Sequence, residues 1–296
     1  MKTDLLSTRQ VADLLGVGEA TVKRWADAGE IDCFRTPGGH RKFRLRDVTS
    51  FVQKRHYPVA ETFPASLPPG LDELADAAFA IEKTALAGNP TGIVGQLAAL
   101  RLRGHGLAAI FDEVVAPALV RIGDAWQQCK LSVAEEHVAA QAIIDAIARA
   151  QPLAEPPGEP TRGSRATAVV AAAAGEQHDI AARMAACLLR ARGFEVLAPL
   201  AATPAPDLAD MVARSRAHVV ALASTAPADA GALQAQIDLT ARAARSAGGR
   251  LVVGGKGMTQ LTVPQEVFFV RSMRELEQQI GALGRRRGAA HAPRFD

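Results

Sequence analysis

The sequence predicts a multi-domain protein of mixed α and α/β class: a winged helix-turn-helix, then a helical bundle, then a flavodoxin-like (Rossmann-type) sheet. Three observations carry that expectation. Two proline-rich stretches, residues 56–70 and 151–165, interrupt the 296-residue chain, and proline neither continues a helix nor pairs inside a central strand. Before the first stretch, two short helical patterns flank a glycine turn and lead into a basic hairpin pattern. After the second, apolar runs of strand length alternate with helical segments, as in a doubly wound parallel sheet. The domains expected are therefore 1–56, 71–150 and 165–284, where length alone suggests about two.

Hydrophobic residues make up 48% of the chain but aromatic ones only 4%, so the cores are expected to be built of Ala, Leu and Val. That favours helices and tightly packed α/β layers. No stretch has the make-up of a transmembrane span, and Met1-Lys-Thr-Asp4 does not read as the start of a signal peptide; a cytoplasmic protein is expected. Cys33, Cys129 and Cys187 stand in unrelated contexts, which suggests neither a disulfide framework nor a zinc site. The net charge is only +3, yet Arg35, Arg41, Lys42, Arg44 and Arg46 fall together with no acid among them. Such a patch is either the electrostatic footprint of a nucleic-acid contact or a solvated face.

In the first module, Ser7-Thr-Arg-Gln10 is a capping-box pattern ahead of Val11, Leu14 and Leu15. Gly16-Val17 makes a turn, and Glu19–Ala28 reads as a second helix ended by Gly29. On it Val22 and Trp25 face inward, Trp25 as core packing, and Thr21, Lys23 and Arg24 are left outward. Ile31–Arg35 and Arg41–Arg44 read as strands joined at Thr36-Pro-Gly-Gly-His40, which makes a basic wing. The helix would offer Thr21, Lys23 and Arg24 to the major groove of double-stranded operator DNA, and Arg35, His40, Arg41 and Lys42 would meet its backbone. His40 has a second reading as a support of the wing turn. Residues 5–55 resemble the winged-helix DNA-binding domain of the MerR family, and Thr36-Pro-Gly-Gly-His-Arg-Lys-Phe43 is the most specific part of the likeness.

The middle module shows three or four amphipathic helical patterns, as in Val115–Ile122. Ser132 and Glu135 form a second capping box, so one helix should end near Gln128 and another begin at Val133. Glu136 and His137 would project from the new helix, and Trp126 lies just before the break. Taken singly, these are a core tryptophan and a solvated Glu-His pair.

In the third module the expected strands are Ala168–Ala174, Phe194–Leu197, His218–Ala223, Arg250–Val253 and Val267–Val270. With flavodoxin-like order the first and third flank the switch point where open α/β sheets bind ligands. Gly175-Glu-Gln-His-Asp179 follows the first strand, so His178 sits on that edge with Glu176 placed to orient its ring, a common arrangement behind a metal-ligating imidazole. A lone Glu-x-His is also compatible with a loop histidine near a helix start. Ser224 and Thr225 follow the third strand. Gly254-Gly255 ends the fourth, where missing side chains allow close approach to the backbone. The basic run Arg285-Arg-Arg287 is expected to be a disordered tail.

Glu-x-His after the first strand, Ser-Thr after the third and Gly-Gly after the fourth resemble the cobalamin-binding domain of methionine synthases and base-exchanging mutases. The resemblance implies that His178 is the lower axial ligand of cobalt, that Glu176 is its orienting partner, and that Ser224, Thr225, Gly254 and Gly255 line the pocket for the displaced benzimidazole tail. Trp126, nine intervening residues and Glu136-His137 resemble the cap of CarH-type adenosylcobalamin photoreceptors, and the module order is the same. That resemblance implies that Trp126 packs against the adenosyl group, Glu136 bonds its ribose and His137 helps close the pocket. Two positions depart from the patterns. Ala181 stands where glycine is usual. Gln127 stands where a histidine becomes the upper cobalt ligand after photolysis, and an amide is a far poorer ligand, so His137 or water would take that place.

The expected function is a light-responsive cobalamin-binding transcriptional repressor, not an enzyme. It would form a homo-oligomer (a tetramer, by the resemblance), hold operator DNA in its adenosylcobalamin-loaded dark form and release it on photolysis. The alternative is a MerR-type regulator that senses cobalamin or another tetrapyrrole without photochemistry. A methyltransferase or mutase accessory domain is the third reading, against which the wing argues.

Overall fold

A serine and a glutamine start the first helix. Ser7 N–H donates to Gln10 Oε1 at 2.8 Å and Gln10 N–H to Ser7 Oγ at 3.2 Å, the reciprocal bonds of a capping box. The computed structural model describes residues 5–15, 17–36, 38–55, 73–150, 166–226, 229–259 and 261–290. The two proline-rich stretches and Pro37 of the wing lie outside them. The chain divides into two units, Met1–Glu159 and Pro160–Asp296.

The first unit opens with β1 (Leu5–Ser7), α1 (Thr8–Leu15), α2 (Glu19–Asp27), β2 (Phe34–Arg35), β3 (Arg41–Arg44) and α3 (Leu45–Arg55). Gly29, at φ +70, turns the chain out of α2, and Glu30 N–H closes on Trp25 O at 2.8 Å. The sheet is antiparallel in the order β1-β3-β2. The expected wing strand from Ile31 is shorter than anticipated: only Phe34–Arg35 pairs, while Ile31 is buried in the core cluster. Val11, Leu15, Val22, Phe43, Val48 and Phe51 share that cluster, and Trp25 packs its ring on Phe51 at 4.8 Å.

Next come α4 (Glu73–Leu86), α5 (Pro90–Leu102), α6 (Leu107–Ile110), a π-helical turn (Phe111–Val115), α7 (Ala116–Gln127) and α8 (Val133–Arg149). Asn89 caps α5 by accepting from Gly92 N–H at 2.9 Å, with Pro90 at the first helical position. Pro117 has no N–H for the helix ladder, and the ladder widens to π register just ahead of it. Ile81, Ile93, Leu97, Leu100, Phe111, Ile122 and Ile143 are fully buried. The Ser132/Glu135 box starts α8 at Val133, as the sequence predicts.

The second unit holds β4 (Thr167–Ala172), α9 (Ile180–Ala191), β5 (Glu195–Leu200), α10 (Ala205–Ser215), β6 (Val219–Ala223), α11 (Ala230–Ser246), β7 (Arg250–Gly254), β8 (Phe268–Val270) and α12 (Met273–Ala290). All pairings are parallel, in the order β5-β4-β6-β7-β8. The sheet is therefore the flavodoxin-like one expected, with the switch point between β4 and β6. Helices α10 and α11 pack together, as do α9 and α12. Alternate strand residues Val169, Ala171, Val220, Leu222, Leu251 and Val253 share one cluster with Leu208, Val212, Leu233 and Ile237 of α10 and α11, the period-2 face of a sheet under helices. Residues 285–287, expected as a disordered tail, continue the backbone of α12. Arginine is a good helix former, and Leu276 and Ile280 anchor the preceding turns.

Candidate functional site

At the carboxyl edge of β4 the backbone turns at Gly175, φ +76, and brings Glu176 back under its own strand, where Glu176 N–H donates to Ala173 O at 3.0 Å. Glu176 is 2% exposed, and both its carboxylate oxygens are engaged. Oε1 accepts from His178 N–H at 2.9 Å and lies 2.7 Å from His178 Nδ1. Oε2 accepts from the N–H groups of Thr225 and Ala226, each at 2.8 Å, with the Ser224 hydroxyl at 3.4 Å. One carboxylate thus ties the loop after β4 to the loop after β6 across the switch point. Burial pushes its pKa up, but the N–H groups of Ala226, His178 and Thr225 outweigh this and hold it below the usual glutamate value.

His178 is held at one nitrogen and open at the other. Its side chain is 68% exposed, and with Nδ1 on Glu176 the ring nitrogen that remains for a further partner is Nε2, the arrangement of a metal-ligating imidazole. No group of three or more His, Cys, Asp or Glu side chains able to hold a metal ion comes together among the described residues. A metal at His178 would have to bring its other donors with it, as an ion inside a macrocycle does. The donor set therefore fits a corrinoid cobalt. Ala181 lies in the first turn of α9, and neighbouring Asp179 is buried and paired with Arg183 at 2.7 Å.

The serine and glycines behave differently from the expectation of a lined cavity. Ser224 is buried, and a Cβ on Gly255 (φ +103) would fall 2.1 Å from Ser224 O. A Cβ on Gly254 would meet Val270 O at 3.0 Å. What approaches these glycines closely is the chain's own backbone; of the four, Thr225 and Gly255 are exposed and Gly254 is half-buried.

In the first unit, Trp126 and Gln127 end α7, both exposed, Trp126 at 44%. The turn that follows is a Schellman closure, Cys129 N–H to Trp126 O at 2.9 Å and Lys130 N–H to Ala125 O at 2.9 Å. Cys129 takes the left-handed position, φ +56, that glycine usually fills. Glu136 and His137 stand in the first turns of α8, with His137 Nε2 3.6 Å from Glu136 Oε2 and the His137 side chain 74% exposed. The corner presents an indole and an imidazole to solvent beside a half-buried carboxylate, with Val133 and Val138 also exposed.

On the winged module, Lys23, Arg24 and His40 are exposed and Thr21 and Lys42 are partly so. A cavity of about 480 Å³ opens between the start of α1, α2 and the wing, lined by Ser7, Thr8, Lys23, His40 and Lys42 among others. His40 holds the turn through its backbone, accepting from Thr36 N–H at 2.9 Å and donating to Thr36 Oγ1 at 3.2 Å. The sequence reading missed Asp27, which receives Arg41 at 2.5 Å and Arg35 at 3.1 Å. The hydrogen bond from Arg41 is the main reason its carboxyl lies below the usual aspartate range. It also missed the Ala226 amide at Glu176. Neither has a local sequence signal, since the partners lie 8, 14 and 50 residues away.

A helix-turn-helix with a basic wing, joined to a helical domain and a doubly wound sheet whose switch point bears an oriented histidine, defines a cobalamin-binding transcription regulator. Comparison with known proteins agrees for each part. Residues 5–56 match a helix-turn-helix domain family, residues 72–151 a B12 binding domain family and residues 166–270 a second B12 binding domain family. The HTH-type transcriptional repressor CarH of Myxococcus xanthus is 29% identical over 239 residues, 73% of this chain and 77% of its own length. The transcriptional repressor DcmR of Methylorubrum extorquens is 31% identical over 97 residues, 30% of this chain and 37% of the relative. The monomethylamine corrinoid protein of Methanosarcina barkeri shares the fold, with a TM-score of 0.52 over 71% of this chain and 98% of that one at 16% identity. The chain is a cobalamin-binding regulator of the CarH type. No helix among the described residues is long and apolar enough to cross a membrane.

Proposed function

We propose that this chain is a light-responsive repressor that uses adenosylcobalamin, binds operator DNA in its loaded dark form and lets go after illumination. The observation that carries the cofactor half is the Glu176–His178 pair, with Nδ1 at 2.7 Å from the carboxylate and the imidazole exposed. Adenosylcobalamin, when bound, would supply a cobalt–carbon bond that visible light breaks. His178 would hold the lower face, while Thr225 and the backbone around Ser224, Gly254 and Gly255 would receive the nucleotide tail. Trp126 offers an aromatic plane suited to adenine, Glu136 an acceptor for ribose hydroxyls, and His137 a side chain to close over them. The MerR-type module at 1–56 would read DNA through Thr21, Lys23 and Arg24, with Arg35, His40, Arg41 and Lys42 on the phosphates. The division into 1–56, 71–150 and 165–284, the cytoplasmic setting and a homo-oligomer, a tetramer, belong to the same proposal. Several DNA-binding modules on one assembly gain affinity through effective concentration, so loss of assembly would release DNA without change at the wing. The named relatives are repressors, which supports a regulator without catalytic turnover.

A second reading, cobalamin sensing without photochemistry, is favoured by Gln127, which stands exposed at the end of α7 where the photoreceptor resemblance expects a ligating histidine. One experiment separates the two: absorption spectra and operator binding of adenosylcobalamin-loaded protein in darkness and after green light, beside His178→Ala. The first reading expects a light-dependent spectrum and DNA release, and a shift to the base-off form in His178→Ala. Equal DNA binding in dark and light selects the second. A protein that keeps no corrinoid through gel filtration ends both.

A further inference from the structure

Gln236 lies in the middle of α11 among Leu233, Ile237 and Thr240, and is 1% exposed. A buried amide is costly unless its donor and acceptor are both satisfied. Here both are, and both partners are backbone groups at the carboxyl edge of the sheet. Gln236 Oε1 accepts from Ala174 N–H at 2.8 Å, two residues ahead of Glu176, and Gln236 Nε2 donates to Thr203 O at 3.1 Å. Thr203 closes the loop after β5, and that loop is unusual. Leu200 and Ala202 both adopt left-handed backbone, φ +65 and +49, a conformation that non-glycine residues keep only where the surroundings enforce it. Two further bonds enforce it: Thr203 Oγ1–H to Leu200 O at 3.1 Å, and Ala202 N–H to Glu176 O at 3.1 Å. The last of these joins the strained loop directly to the segment that carries His178.

We propose that Gln236 is a positioning residue of the corrinoid site, a buried latch that fixes the β5 loop against the β4 loop so that His178 is presented to the cobalt already in place. The inference rests on the cobalamin reading above. A side chain kept only to fill this core would be apolar, since methionine has the same reach and no polar group to desolvate. The amide is explained by what it holds. It acts on His178 through the Ala174 end of the β4 loop and on Glu176 through the Ala202 bond. An imidazole held in this way meets its ligand without first being ordered; a group bonded directly to the ligand, as Glu176 is to His178, is worth about 10- to 100-fold in metal affinity, and one acting through it less.

The test uses the full chain and two variants, Gln236→Met, which removes both bonds at equal length, and Gln236→Glu, which keeps the acceptor for Ala174 and sets a carboxylate against Thr203 O. In unloaded protein, amide exchange at Ala202, Thr225 and Ala226 should quicken at least about 10-fold in Gln236→Met, while Val169 and Val220 in the central strands keep their rates. With adenosylcobalamin as the probe, Gln236→Met should bind more weakly, by up to about 10-fold, and show more base-off absorption at saturation than wild type, with Gln236→Glu intermediate. Exchange that rises equally in loops and strands, or nowhere, overturns the latch. So does a variant that binds with unchanged affinity and an unchanged spectrum. If Gln236→Met fails to fold, Gln236→Glu carries the same comparison. If wild type takes up no corrinoid, the proposed function fails by itself, and the exchange rates still sustain or overturn the latch between the two loops.

Discussion

The loops after β4, β5 and β6 at the carboxyl edge of the second unit's sheet, its floor loops, and the α7–α8 corner of the first unit are built on opposite plans. At the floor the polar atoms are spoken for in advance: Glu176 is buried under three backbone N–H groups and one imidazole. At the corner, Trp126, Glu136 and His137 are held by the helices that carry them, with Trp126 and His137 exposed and Glu136 half-buried. A buried charge without partners is unaffordable, so a carboxylate at the sheet edge must be fully organised whether or not a ligand is present. Exposed groups at a corner carry no such obligation and can be organised by what binds them. The floor should therefore reveal itself in the stability of the unloaded protein, and the corner only in ligand affinity.

The largest effect tests the first half of that contrast. Glu176→Ala leaves the N–H groups of His178, Thr225 and Ala226 without their acceptor, and buried orphaned donors cost about 1–3 kcal/mol each. Partial rescue by water sets the expected loss near 3 kcal/mol for the second unit, read by denaturant unfolding of unloaded protein. A loss under about 1 kcal/mol would mean that the floor is not pre-organised. The next tests the second half. Trp126→Ala and Glu136→Gln should change unloaded stability by no more than about 0.5 kcal/mol, as exposed substitutions do, yet weaken adenosylcobalamin binding by about 10-fold or more, near 1.4 kcal/mol. Large destabilisation by either would make the corner structural and erase the comparison.

The wing stands between the two plans. Arg35 and Arg41 are expected at phosphates, but Asp27 already receives both. Asp27→Asn would leave the two guanidiniums to the DNA. Affinity for arbitrary duplex should rise, and the slope of log affinity against log salt should steepen by about 1. An unchanged slope would show that the arginines leave Asp27 unaided when DNA arrives.

What was readable in the sequence follows the same division. The strand positions, the start of α8 and the Glu176–His178 pair rest on local patterns: apolar runs of strand length, a capping box, a carboxylate two residues from an imidazole. The three-residue β1 was not readable, because it exists only by pairing with β3 some 37 residues on, Leu6 with Phe43. Helix α3 carries Val48, Phe51 and Val52 at helical spacing but follows β3 with no turn or cap to announce it. Asp27 and Gln236 escaped because their meaning lies in partners remote along the chain, which only the folded backbone brings together.

The smallest effect asks whether strain also differs between the two regions. Cys129 and Ala202 are exposed residues in left-handed backbone, one at the corner and one in the floor loops. Replacing either with glycine removes about 1–2 kcal/mol of conformational strain and returns about 0.5–1 kcal/mol to the unfolded chain as entropy, so each variant should gain roughly 0.5 kcal/mol in unloaded protein. The loaded proteins should part company. The turn at Cys129 is closed by its own Schellman bonds, so Cys129→Gly should keep its gain and bind adenosylcobalamin like wild type. Ala202 donates to the Glu176 carbonyl, and glycine there gives the β5 loop more ways to let go of that bond. Ala202→Gly should bind adenosylcobalamin more weakly by a factor of about 3, near 0.6 kcal/mol, even as it unfolds at higher denaturant. Equal binding by both variants would show that strain in the floor loop is incidental to how His178 is held.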